Sequence, residues 1–247
     1  MLSGAATAAE LARLEHRLLG FVPVDGEFSA GRYATLAHAE IDQLIAEGRR
    51  PLVVGGTGLY LVAALSHLDL RPPVPADLRA EVEAEIAERG SEALHAELPP
   101  DLAATVHAND RKRVARLTEL IRAGIEPPRS SERLWTDALR HPTSIFGLVL
   151  DREELDARID RRVDAMVAAG ADAEARAAEQ AGASRTVRAA IGFEELLAGD
   201  IEAMKTAQRR FARRQLTWMR KLPGVTIVDR SGRDDAEVAA EIAGLPG

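Results

Sequence analysis

Two rhythms of apolar and polar positions run along this chain of 247 residues. The first is helical. After Ser29, a fitting N-cap, Tyr33, Leu36, Ile41, Leu44 and Ile45 recur at the spacing of one helix face, and Gly48 closes the segment as a C′ glycine. An earlier short helix is expected around Ala8–Leu19. The second rhythm begins at Pro51: Leu52, Val53 and Val54 are consecutively apolar, which predicts a strand buried on both faces of a parallel sheet. Gly55-Gly-Thr-Gly58 follows at once, and then a helix over Leu59–Leu65. Helix, buried strand and helix in succession predict an α/β architecture.

Three prolines within Arg71-Pro-Pro-Val-Pro75 mark a boundary. Beyond them the periodicity is helical only, over 76–89, 91–97, 101–106, 110–123 and 130–138. This predicts an all-helical insertion, residues 72–142, in an α/β core formed by residues 1–71 and 143–247. The core resumes with the apolar run Ser144–Leu150. Asp151 and Glu154 have the spacing of a capping box for a helix ending near Gly170. Another helix is expected over 171–181, one capped by Thr186 through Leu197, a long one over 201–221, a strand at Val225–Val228 and a helix at Asp234–Ala243.

Composition narrows the chemistry. With 46% apolar residues the chain can bury a core. It has no cysteine, which excludes disulfides, thiolate metal sites and cysteine nucleophiles. No run is apolar enough to span a bilayer and no signal-peptide pattern is present, so a cytoplasmic, monomeric protein without a membrane partner is the expectation. The net charge of −7 speaks against simple nucleic-acid binding, but its distribution changes the picture. Residues 205–221 hold Lys205, Arg209, Arg210, Arg213, Arg214, Arg220 and Lys221 and no acid. Such a run repels itself unless an anion lies nearby, so a polyanion or diphosphate site is expected there. Trp218, four residues beyond Arg214, is a base-stacking candidate but is expected to pack in the core.

Lys112, Arg113 and Arg116 lie on one side of a helix for which Asn109 is the expected N-cap. They suit RNA phosphates; charge alone favours a solvated face paired with nearby acids. Arg188 fits either a salt bridge or a phosphate clamp. The glycine turn, with Gly55, Gly56 and Gly58 around Thr57, places backbone N–H groups at a helix start, a natural seat for an anion. It matches neither a Walker A loop nor G-x-G-x-x-G, and its spacing leaves a ligand-free turn equally open. The histidines do not cluster at metal-ligand spacing, and no catalytic triad or carboxylate pair is evident.

Taken together and in order, Gly55-Gly-Thr-Gly-Leu-Tyr60, His107-Ala-Asn-Asp-Arg-Lys-Arg-Val-Ala-Arg116, Ala190-Ile-Gly-Phe-Glu-Glu-Leu196 and Arg213-Arg-Gln-Leu-Thr-Trp-Met-Arg220 resemble the tRNA dimethylallyltransferase family. Phe28-Ser-Ala-Gly-Arg-Tyr33 and Asp151-Arg-Glu-Glu-Leu155 also fit. The resemblance implies a P-loop-kinase-like parallel sheet core with a helical insertion that grips the anticodon stem-loop of tRNA. It implies transfer of a dimethylallyl group from dimethylallyl diphosphate to N6 of adenosine 37, with the base flipped into a tunnel and Mg²⁺ at the diphosphate. By motif, Thr57 is expected at the RNA near the reacting adenine, and Arg79, Lys112, Arg113 and Arg116 at the stem-loop. Arg188 is expected at the diphosphate, making it and Thr57 the catalytic candidates. Gly55, Gly56, Gly58, Arg213 and Arg214 are the polyanion-binding candidates.

Members of the family open with a strand, a Walker A loop, a helix and a second strand, and these supply the phosphate cradle and the aspartate that acts as general base. The motifs here begin after them. The expectation is an N-terminally incomplete reading frame with little or no transfer by itself. Two rival readings are an adenylate isopentenyltransferase acting on free nucleotides, and a non-catalytic RNA-binding paralogue.

Overall fold

The computed structural model describes residue 6 and residues 8–68, 71–127 and 138–245. The chain divides into two compact units, Met1–Ser66 with Asp137–Gly247, and His67–Thr136. The helix expected over 130–138 falls almost wholly outside the described residues.

In the first unit, α1 (Ala8–Arg13) stops short of its expected end. Helix α2 (Ala30–Ala46) is capped by Ser29, whose hydroxyl accepts from Arg32 N at 3.2 Å. Gly48, at φ +70°, donates to Ile45 O and ends the helix, as expected. The buried stripe of α2 is Ala34, Ala37 and Ile41, while Ile45 is exposed. Small residues let α2 lie close to α3 (Gly58–Leu65), where Ala37, Ile41 and Ala64 pack with Leu18, Tyr33 and Val53.

Among the described residues the sheet has two strands, and the protein is mainly helical. Strands β1 (Ile145–Val149) and β2 (Val225–Asp229) pair in parallel, Ile145 opposite Val225 and Val149 opposite Asp229. Five helices form the crossover that a parallel pair needs: α8 (Arg152–Ala168), α9 (Ala171–Gln180), α10 (Arg185–Arg188), α11 (Phe193–Ala198) and α12 (Ile201–Met219). The chain ends in α13 (Asp235–Gly244). The strand expected at Leu52–Val54 is not in this sheet. Val53 packs on α2 and α3, but Leu52 and Val54 are 78% and 83% exposed, and the run has no ladder partner among the described residues.

The crossover helices have their own core, with Phe193, Leu196, Met204, Val163, Ala171 and Ala175 buried together. Several caps differ from expectation. Asp151 caps α8 through Glu153 N and Glu154 N, but its own N–H donates to Ser231 Oγ and Glu154 accepts from Gly232 N, so the capping box is replaced by ties to the loop after β2. Ser184, not Thr186, caps α10, because Thr186 Oγ1 is engaged by Phe28 N and Glu27. The helix expected through Leu197 breaks at Gly192, whose φ of +97° suits glycine. Any larger residue there would also press on Met204.

The second unit holds α4 (Ala76–Arg89), α5 (Ser91–Ala96), α6 (Pro100–Ala103) and α7 (Arg111–Arg122). Val82, Ile86, Leu94, Leu98, Val106, Val114 and Leu117 fill its core at helical periods. Asp110, rather than Asn109, caps α7 by accepting from Arg113 N at 3.2 Å, while Asn109 N–H turns back to His107 Nδ1.

Candidate functional site

The glycine turn sits at the N-terminus of α3. Thr57 is its N-cap residue: the carbonyl accepts from Tyr60 N and Leu61 N, both at 3.0 Å, while the exposed side chain makes no capping hydrogen bond. Gly55 is exposed, Gly56 half-buried and Gly58 buried. A methyl group at Gly56 would overlap the Gln215 amide, and one at Gly58 the Trp218 indole. The structure thus brings the turn against the last turns of α12. Tyr60 tilts against Tyr33 with ring centroids 4.9 Å apart, and burial raises the phenol pKa of both.

Further up α12, a cavity of about 320 Å³ lies between that helix and the α10–α11 segment. Its walls include Arg188, Arg210, Arg214, Glu194 and Glu195. Arg188 is held from both sides: it pairs with Glu179 of α9, and Nη1 donates to Glu194 at 3.3 Å. These bonds raise the Arg188 pKa, Glu179 most, so the guanidinium is charged at any working pH. Its guanidinium carbon lies 6.0 Å from the centre of the Phe193 ring. Arg214 lies over Phe211 at 5.7 Å. Arg213 is exposed on α12 but is not among the cavity residues.

The long basic run is less self-repelling than its sequence suggested. Arg209 pairs with Asp160, and Lys205 Nζ lies 2.8 Å from Asp164, both acids being on α8. Glu202 adds a third carboxylate at 3.0 Å from Lys205. The neighbouring helix supplies carboxylates to Lys205 and Arg209, so the run is partly neutralised within the fold.

In the helical unit, Lys112 and Arg113 are exposed on α7, and Arg113 Nε is 3.4 Å from Asp110. Arg79 and Arg116 are committed to a residue that the sequence did not single out. Glu119, 5% exposed, accepts from Arg116 at 3.1 Å and faces Arg79 Nε at 3.8 Å. Arg116 also donates to the carbonyls of Pro72 (2.8 Å) and Arg71 (3.2 Å). A glutamate at the i+3 position from an arginine, on an otherwise apolar face, was the available signal for Glu119.

Among the described residues no group of three or more His, Asp or Glu side chains could hold a metal. No helix among them is long and apolar enough to cross a membrane.

The family model for IPP transferase matches residues 1–222. A tRNA dimethylallyltransferase of Streptomyces griseus subsp. griseus is 38% identical, over 94% of this chain and 78% of that protein. One from Anaeromyxobacter sp. (strain Fw109-5) is 39% identical, over 89% and 77%. The crystal structure of the full-length tRNA isopentenylpyrophosphate transferase from Bacillus halodurans is similar with a TM-score of 0.67 and 32% identity, over 98% of this chain and 80% of that one. With the glycine turn, the arginine-walled cavity and the basic helices in place, these likenesses give one answer: this chain belongs to the IPP transferase family, the tRNA dimethylallyltransferases.

Proposed function

We propose that the chain serves the transfer of a dimethylallyl group from dimethylallyl diphosphate to N6 of adenosine 37 in tRNA, its described residues holding the diphosphate and the stem-loop, with little transfer expected from these residues by themselves. The observation that supports this most is the convergence of Arg188, Arg210 and Arg214 on one cavity whose other border, α12, also carries the contacts to the glycine turn. The bond from the prenyl carbon to the diphosphate oxygen breaks, a bond from that carbon to the adenine amine nitrogen forms, and the nitrogen gives up one proton to water or to the departing diphosphate. Charge then develops on the diphosphate, and fixed guanidinium groups stabilise it. Planar guanidinium donors pair with phosphate oxygens through two parallel bonds, which a lysine does not match.

Thr57 touches the RNA near the reacting adenine, and Arg79, Lys112, Arg113 and Arg116 hold the anticodon stem-loop. Gly55, Gly56, Gly58 and Arg213 belong to the same anion-binding surface as Arg214. The two-stranded sheet belongs to a P-loop-kinase-like core, and the protein works as a cytoplasmic monomer. Mg²⁺, where it takes part, enters with the diphosphate rather than on a carboxylate cluster of the described residues. A free-nucleotide acceptor is disfavoured because it leaves the exposed Lys112 and Arg113 without a ligand.

Two binding measurements test this. Arg188→Ala should weaken prenyl diphosphate binding by about tenfold or more, the loss of one charge-assisted pair. Glu194→Gln should strengthen it by a few fold, because Glu194 competes for the same guanidinium. If neither variant alters diphosphate affinity in calorimetric titrations, the cavity is not the diphosphate site. For the RNA side, replacing Lys112 and Arg113 by alanine should flatten the salt dependence of stem-loop binding by about 0.7 to 0.9 log units of affinity per log unit of salt for each phosphate contact removed. An unchanged slope would take these residues off the RNA.

A further inference from the structure

Helix α12 reaches the glycine turn at two positions: at Gly58 a β-carbon would fall inside the rigid Trp218 ring, and at Gly56 it would meet the movable end of the Gln215 side chain. Gly56 lies against the Gln215 side chain and Gly58 against the Trp218 ring, one on each side of Thr57. The end of α12 is itself fixed. A methyl at Gly147 in β1 would overlap Met219, so the residue after Trp218 is pressed onto the sheet. At the other end of the helix, Met204 is fully buried in the crossover core under Gly192. A helix clamped at both ends cannot yield, so the turn is the partner that must fit. Thr57 spends only its carbonyl on starting α3; its side chain makes no capping bond.

We propose that Gln215 and Trp218 are positioning residues for the glycine turn: by filling the space where β-carbons at positions 56 and 58 would lie, they set the backbone of Gly56-Thr57-Gly58 and aim the Thr57 hydroxyl. The proposal rests on the reading that Thr57 contacts RNA. It explains why glycine is required at position 58 although the backbone there does not enter the left-handed region. The requirement comes from close approach, not from dihedral angles. It also gives Trp218 a task other than stacking on a base.

The test is a coupling experiment on the full chain, read by stem-loop anisotropy. Gly58→Ala should weaken stem-loop binding by about tenfold, because the new methyl and the indole compete for one place. Trp218→Leu alone should weaken it about threefold. With the ring gone the methyl has room, so Gly58→Ala combined with Trp218→Leu should bind within about twofold of Trp218→Leu alone, a clear departure from additivity. If the double variant instead shows the product of the two losses, the lock does not exist. Gln215→Ala, a milder change, should also weaken stem-loop binding, by about threefold.

A merely structural role would lower stem-loop affinity only in proportion to the fraction of protein that stays folded. The positioning role lowers it for the fully folded protein, so a loss that vanishes once each titration is corrected for the unfolded fraction, measured by thermal melting of the same variants, would overturn the proposal. Thr57→Val reports separately on the RNA contact. Weakened stem-loop binding supports that contact; unchanged binding removes it, and with it the purpose of the lock.

Discussion

Phe193→Ala should destabilise the first unit by about 3–5 kcal/mol, the usual cost of emptying a fully buried aromatic site. Phe193 has no exposed surface and sits among Val163, Ala171, Ala175, Leu196 and Met204, contributed by four helices. Alanine would leave a cavity bounded by helices already tied to one another by Lys205 with Asp164 and Arg209 with Asp160, so little collapse could refill it. The ring also supports Arg188, whose guanidinium lies 6.0 Å from its centre. The protein that stays folded should therefore bind prenyl diphosphate less tightly as well. Urea unfolding followed by Trp218 emission, with Trp135 replaced by Phe, measures the first effect, and titration in the absence of urea measures the second. A loss of stability under 1 kcal/mol would mean that this cluster is not the core it looks to be.

Phe193 was legible in the sequence only as part of Ala190-Ile-Gly-Phe-Glu-Glu-Leu196, a motif. Its burial arises from three other helices, which no local pattern announces. Helices α4, α5 and α6 of the second unit were legible because Pro75, Gly90 and Pro99 punctuate them, and α7 because of its own periodicity. Strands β1 and β2 were legible as short apolar runs. Leu52–Val54 is the same kind of run and has no partner strand among the described residues, because strand formation depends on a neighbour that a local pattern cannot supply. Caps failed in an instructive way. Asn109 and Thr186 have the right chemistry, but Asp110 and Ser184 are one and two residues away with equal chemistry, and tertiary bonds from Glu27 and Phe28 decide the second case.

The candidate site divides along the same line. Thr57, Arg188 and Arg214 could be named from motifs because their chemistry is carried by single side chains. The partners that hold them could not. Glu179 and Glu194 on Arg188, Asp160 and Asp164 on the basic helix, and Gln215 on Gly56 are all contributed from elsewhere in the fold. Charge counted along a helix overstates its need for a ligand wherever an adjacent helix offers acids at matching spacing. Asp160 and Asp164, one turn apart on α8, do so for Arg209 and Lys205.

The helical unit carries the last large effect. Glu119→Ala should destabilise it by about 2–4 kcal/mol: breaking a buried pair costs about 3–5 kcal/mol, less here because Arg79 and Arg116 keep part of their solvation. Glu119 is 5% exposed on a helix whose Val114, Leu117 and Leu120 are also buried, and it holds Arg116 while that residue bonds the carbonyls of Arg71 and Pro72. Glu119→Gln is the more informative change, because two effects on RNA binding have opposite signs. Removing a negative charge beside a basic surface should by itself tighten stem-loop binding. Releasing Arg79 and Arg116 from a fixed arrangement should weaken it, since mobile side chains must be ordered again on binding. We expect release to win and stem-loop affinity to fall by about threefold to tenfold, because one charge among several phosphate contacts is screened at physiological salt. Tighter binding by Glu119→Gln at that salt would show instead that Arg79 and Arg116 serve the fold of the unit and leave the RNA to Lys112 and Arg113.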